Sequence, residues 1–177
     1  MLRQPLFVLL LIFACGSSPV MGATDLDRFA GQWRGVAVDR NDGFEITADS
    51  LVLQLKQGTE GFDLEWKIPD SGDQARFIET DQPGVFSTSA SKLGFLGLFS
   101  SSKEIDPLAG DPLIWARFEA GSLTVYKLTI DDLGAFSLDR SHLTVAGESL
   151  QLRFTRRAHG EPERSFVALL ERVGATH

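Results

Sequence analysis

The chain has 177 residues, 43% of them hydrophobic and 23% charged, and a net charge of -7 at pH 7. Those values describe one globular domain and exclude a disordered chain. The negative balance excludes a protein that coats nucleic acid or an anionic membrane through a basic surface.

Residues 1–22 read as a secretory signal peptide. Arg3 gives a positive start, Leu6 to Ala14 form an apolar run, and Gly16, Ser17, Ser18 and Pro19 lead into Val20-Met21-Gly22-Ala23. The run is shorter than the ~18 residues of a membrane-spanning helix. No later stretch is longer, so the expectation is an exported chain with no transmembrane segment, in the periplasm or outside the cell. Two cuts compete. Cleavage after Gly22 or Ala23 leaves a single domain over 23–177. Cleavage before Cys15, where Ile12-Phe13-Ala14-Cys15 resembles a bacterial lipobox, leaves a lipid anchor on that cysteine. Cys15 is the only cysteine, so neither product has a disulfide, and stability must come from the core. Cysteine-free export suits a bacterial periplasm.

Thr24-Asp25-Leu26-Asp27-Arg28-Phe29 opens the domain as one helical turn capped by Thr24 or Asp25. Strands follow. The clearest are 51–56 and 62–68, where Leu51, Leu53 and Leu55, then Phe62, Leu64, Trp66 and Ile68, alternate with polar residues. Side chains on a strand alternate faces, so each has one apolar and one polar side. Similar units are predicted near 33–38, 44–47, 75–79, 84–88, 113–119, 122–130, 135–140, 143–146, 149–156 and 165–173. Turn signals separate them: Asn41-Asp42-Gly43, Gln57 to Gly61, Ala120-Gly121, Asp131 to Gly134, Ala146-Gly147-Glu148 and His159-Gly160-Glu161. Short links between consecutive strands mean an antiparallel meander. Its apolar face needs cover, which predicts an all-β, up-and-down barrel of about eight to ten strands, with a β-sandwich as the alternative. One stretch is anomalous: Leu93-Gly-Phe95-Leu-Gly-Leu-Phe99 is apolar, broken by glycine and flanked by serines.

Phe29-Ala30-Gly31-Gln32-Trp33-Arg34-Gly35 resembles the Gly-x-Trp opening of lipocalin-like (calycin) barrels. Gly31 and Trp33 match the motif, and Arg172 in the final strand matches the basic residue that packs across the Trp in that family. The resemblance implies a barrel closed at one end by Trp33 and Arg172, with an internal cup for a small apolar ligand. The family's second motif, its C-terminal helix and its disulfide have no counterpart here.

Catalytic and metal motifs are missing. The three histidines, His142, His159 and His177, are read as exposed loop residues, and none sits at ligand spacing from another ligating group. No metal, cofactor or enzymatic activity is therefore expected. Asp39 to Gly43 places its glycine fifth, not sixth as a calcium loop needs, and reads as a turn. Arg153, Arg156, Arg157 and Arg164 cluster around the last hairpin. They are read as a solvated surface balanced by Glu161, Glu163 and Glu171, or else as an anion or partner contact. Arg117 shares a face with Leu113 and Trp115, and Tyr126 lies on the next strand. An inward Arg with a nearby Tyr resembles the carboxylate grip of some fatty-acid-binding barrels. Ile114, Ala116 and Phe118 form an equally apolar opposite face, so the sequence leaves the orientation open.

Two functions are expected from this pattern. In the first, the barrel binds a small hydrophobic ligand lined by Phe62, Trp66, Trp115, Arg117 and Tyr126, with Leu93, Phe95 and Phe99 in a flap. In the second, the barrel is filled by its own side chains and serves as an interaction or structural module of the cell envelope. Interior volume discriminates them.

Overall fold

The computed structural model describes residues 26–41, 51–68, 71–88 and 105–174. Ten strands close into one antiparallel barrel. They are β1 (Gly31–Asn41), β2 (Leu51–Gln57), β3 (Gly61–Ile68), β4 (Ser71–Glu79) and β5 (Val85–Thr88). The second half contains β6 (Leu113–Glu119), β7 (Ser122–Ile130), β8 (Phe136–Ala146), β9 (Ser149–Ala158) and β10 (Arg164–Arg172). Each strand pairs with the next, and β1 also pairs with β10, which closes the cylinder and removes the sheet edges. Among the described residues no helix is long and apolar enough to cross a membrane.

Alternation sets the inside of the barrel. Leu51, Leu53 and Leu55 of β2 face inward with Phe62, Leu64, Trp66 and Ile68 of β3, in the register Leu53↔Trp66 and Leu55↔Leu64. The hairpins hold that parity. At the β6–β7 turn both Ala120 and Gly121 have positive φ, 51° and 74°. Two such residues form the mirror-image turn whose twist suits a two-residue hairpin. Phe118 and Leu123 thereby face each other across the pair.

The elements expected near 113–119 and 122–130 form as β6 and β7. Those expected at 135–140 and 143–146 merge into the single strand β8. Ser141 and His142 break the hydrophobic pattern there but not the hydrogen-bond ladder, because they still pair with Val125 and Thr124. The strand expected near 75–79 begins earlier, since polar Ser71 to Gln74 pair with β3. The opening turn is a 3-10 turn at Leu26–Arg28, which brings Phe29 under the barrel end. Asp42 and Gly43 of the first turn and the strand expected at 44–47 lie outside the described residues.

The closing seam between β1 and β10 is tight. A Cβ built on Gly35 would lie 2.0 Å from the Leu169 carbonyl oxygen, so only glycine lets the two backbones approach at Gly35↔Leu170. Gly35→Ala is expected to destabilise the fold by roughly 3 kcal/mol or more, as measured by denaturant unfolding, because the backbone must separate at the seam.

Candidate functional site

One end of the barrel is shut by a stack. Trp33 is fully buried, and its indole Nε1–H donates to the Phe29 carbonyl at 2.9 Å. The Arg172 guanidinium lies 4.4 Å from the Trp33 ring centroid. Its Nη1 donates to the Ala30 carbonyl at 2.7 Å and its Nη2 to the Arg28 carbonyl at 3.1 Å. A cation over an indole face is held by the ring quadrupole, and here the same cation also satisfies the carbonyls of the opening turn. Above it, Phe29 meets Phe118 edge-on at 5.9 Å. Phe62 stacks on Phe77 at 4.7 Å and meets Phe86 at 5.1 Å.

Among the described residues, the middle of the barrel is packed. Trp66 is 7% exposed and borders an interior gap shared with Leu53, Val125, Leu143, Leu152 and Leu170. That gap measures about 10 Å³, close to the minimum for one water. Small-molecule sites start near ~300 Å³. Two larger hollows, of about 130 and 260 Å³, lie around the Gly58 to Gly61 turn at the Trp33 end.

The opposite end carries an ionic layer. Lys127, Asp139 and Arg156 face one another in register across β7, β8 and β9. Arg156 grips Asp139 through two bonds, Nε–Oδ1 at 2.6 Å and Nη2–Oδ2 at 2.8 Å, with side chains only 15% and 11% exposed. Lys127 Nζ reaches across the barrel to Asp73 Oδ2 on β4 at 2.9 Å. These residues continue the inward parity of Val125, Leu143 and Phe154, so they point into the barrel and not to solvent. Arg156 thus leaves the solvated arginine cluster expected from the sequence. Lys127, Asp139 and Asp73 were not singled out there, although extending the alternation past Val125 and Leu143 places both Lys127 and Asp139 inside.

The structure corrects the inward orientation of Trp115, Arg117 and Tyr126. Ile114, Ala116 and Phe118 are the buried face of β6, while Arg117 is exposed and pairs with Glu119 at 3.2 Å. Phe118 is needed against Phe29, and the strand's period of two then turns Trp115 and Arg117 outward. An inward Arg117 would also need a buried carboxylate, whereas outside it pairs in water. Trp115 and Tyr126 stack on the outer surface, 4.9 Å between centroids at 8°. The flap residues Leu93, Phe95 and Phe99 lie outside the described residues, as does His177.

Around that aromatic pair the outer surface is unusually apolar. Leu113, Leu128 and Leu138 form one row across β6, β7 and β8. Phe136 (43% exposed) faces Ile130 in a second row. Arginines frame these rows: Arg140 opposite Tyr126, Arg153 opposite His142, and Arg157 opposite Leu138. Arg157 pairs with Glu163. His142 lies within β8 and is half-buried, which corrects its expected loop position. Its Nδ1 shares a hydrogen bond with Thr124 Oγ1 at 2.9 Å. Burial first, then the positive fields of Arg140 and Arg153, hold its pKa below the ordinary 6.5. His159 is exposed, edge-on to Phe136 at 6.0 Å. Among the described residues no three His, Cys, Asp or Glu side chains converge as a metal set.

Set beside protein-family models, curated proteins and solved structures, the chain matches none.

Two outcomes follow from these charges. Asp139→Ala leaves Arg156 without its bidentate partner and is expected to cost about 3 kcal/mol in chemical unfolding, whereas Asp139→Leu with Arg156→Met recovers most of the loss. His142 binds its proton less readily folded than unfolded. Its contribution is therefore full above the unfolded pKa near 6.5 and is lost as pH falls toward the lower folded value. Melting curves between pH 7 and pH 5 should show that loss in the native chain and less of it in His142→Gln.

Proposed function

We propose that this chain is an exported protein-interaction module of the cell envelope, built on a lipocalin-like barrel whose interior is filled by its own side chains. The packed interior carries this reading. Phe62 and Trp66, the two expected lining residues that face inward, are 2% and 7% exposed and adjoin core neighbours, and the gap beside Trp66 is about 10 Å³. A barrel without a cup has only its surface and loops to offer a partner. The lipocalin-like part of the proposal is supported by Arg172 over Trp33 at the closed end. Export is supported by the order of charged, apolar and small residues over 1–22.

A hydrophobic-ligand cup is the competing reading. It requires the core around Trp66 to open by more than an order of magnitude in volume. It also loses Trp115, Arg117 and Tyr126 as lining.

Native mass spectrometry of the protein purified from its exported compartment, with an organic extract of the same sample, tests the choice. The filled-barrel proposal expects the bare polypeptide mass, with or without a lipid anchor, and an extract free of any other stoichiometric compound. A small apolar molecule recovered at close to one per chain would overturn it.

A further inference from the structure

We infer that the outer face of β6–β9 docks an acidic segment of another protein, one whose carboxylates sit beside aromatic or aliphatic side chains. This inference rests on the interaction reading above and names the surface and the partner's chemistry.

The outward positions of these four strands carry Arg117, Arg140, Arg153, Arg157 and His142 against a single carboxylate, Glu119. The whole chain has a net charge of -7. The outer face of these four strands therefore carries a local excess of positive charge, whereas the outward Lys56, Lys67 and Arg76 of β2–β4 are interspersed with Asp63 and Glu65. Arg117 and Arg157 carry their own acids, Glu119 and Glu163. Arg140 and Arg153 are exposed and have no carboxylate within salt-bridge distance among the described residues. After burial, their positive charge is a further cause that lowers the His142 proton affinity. Arg140 and Arg153 are diagonal neighbours on β8 and β9, a spacing of roughly 7–8 Å that one or two carboxylates can bridge.

Beside these cations lies the apolar ground. The stacked Trp115–Tyr126 pair and the Leu113–Leu128–Leu138 row occupy the face of the barrel that usually carries polar residues. Trp, Tyr and Arg together are the residue types that dominate binding energy at protein interfaces. A second copy presenting this same face would set arginine against arginine, so a two-fold self-contact is disfavoured. An anionic membrane or a nucleic acid would meet the repulsion of the whole chain's negative charge. A short acidic segment feels mainly the local arginines, because salt screens charges beyond about 8 Å.

Panning a random peptide library on the purified chain tests this directly. Enriched sequences are expected to place Asp or Glu beside aromatic or aliphatic residues. Synthetic copies should bind native protein at least roughly tenfold more tightly than Arg140→Glu/Arg153→Glu protein, and equally to Lys67→Glu on a different outer face. Both arginines are exposed, so the double variant should melt with the native chain; if it does not fold, Arg140→Gln/Arg153→Gln makes the same comparison. Enrichment of peptides without acids, equal binding to the double variant, or no enrichment overturns the inference. So does arginine-dependent binding to phosphatidylglycerol vesicles or to single-stranded DNA in place of the peptides. These failures leave the interaction proposal standing, since only a stoichiometric small molecule in the native extract removes it.

Discussion

Arg172 over Trp33 is the contact on which the barrel's closure depends. The last strand must find the first across 139 residues of chain, given the Trp33↔Arg172 register, and that pairing is the most non-local in the fold. Loop closure over such a span opposes it, so contacts at the seam have to reward it. The guanidinium does so three times: it covers the indole and donates N–H groups to the Ala30 and Arg28 carbonyls. The opening turn is thereby tied to the end of the chain, and Phe29 is pressed under the aromatic layer of Phe62, Phe77, Phe86 and Phe118. Gly35 makes the same seam possible by leaving room for the Leu169 carbonyl.

From that closed end the interior changes character along its axis. Aromatic packing gives way to the Leu and Val layer around Trp66, and this to the Lys127–Asp73 and Arg156–Asp139 pairs. Ion pairs that are wholly or partly buried contribute little net stability against well-packed apolar residues, but they penalise any arrangement that separates them. Here they bind β7, β8, β9 and β4 together at the end away from Trp33. Among the described residues, apolar packing and paired charge fill these layers of the barrel. The apolar surface on the outside of β6–β8 is the feature that core packing does not explain.

The architecture was legible because its signals are local and repeated. Alternation in 51–56 and 62–68, the Ala120-Gly121 turn and the short links between strands each specify pairing without knowledge of the whole. Gly31, Trp33 and Arg172 were readable as a set only through the resemblance to the Gly-x-Trp opening of lipocalin-like barrels, since their contact joins the two ends of the chain. Orientation was harder. In Leu113 to Phe118 both faces are apolar, so the pattern is symmetric, and only the position of Phe29 breaks the tie. Lys127 and Asp139 could be placed inside by extending the alternation, but their pairing could not be read, because a charged residue in a strand reads as solvated until its partner on another strand is known, and Asp73 is 54 positions away from Lys127 in sequence. Nothing in a single sequence reports interior volume, which depends on how side chains from ten strands meet.

The central claim is that the barrel interior is a packed core and not a lining. Trp66→Ala, followed by denaturant unfolding, tests it most directly, since Trp66 lies where a cup would have to open. A packed core predicts a loss of about 3–5 kcal/mol, because the surrounding Leu and Val side chains cannot collapse into the space. A loss below about 1 kcal/mol, with an unchanged denaturant dependence, would mean that Trp66 borders open volume, and would contradict the account.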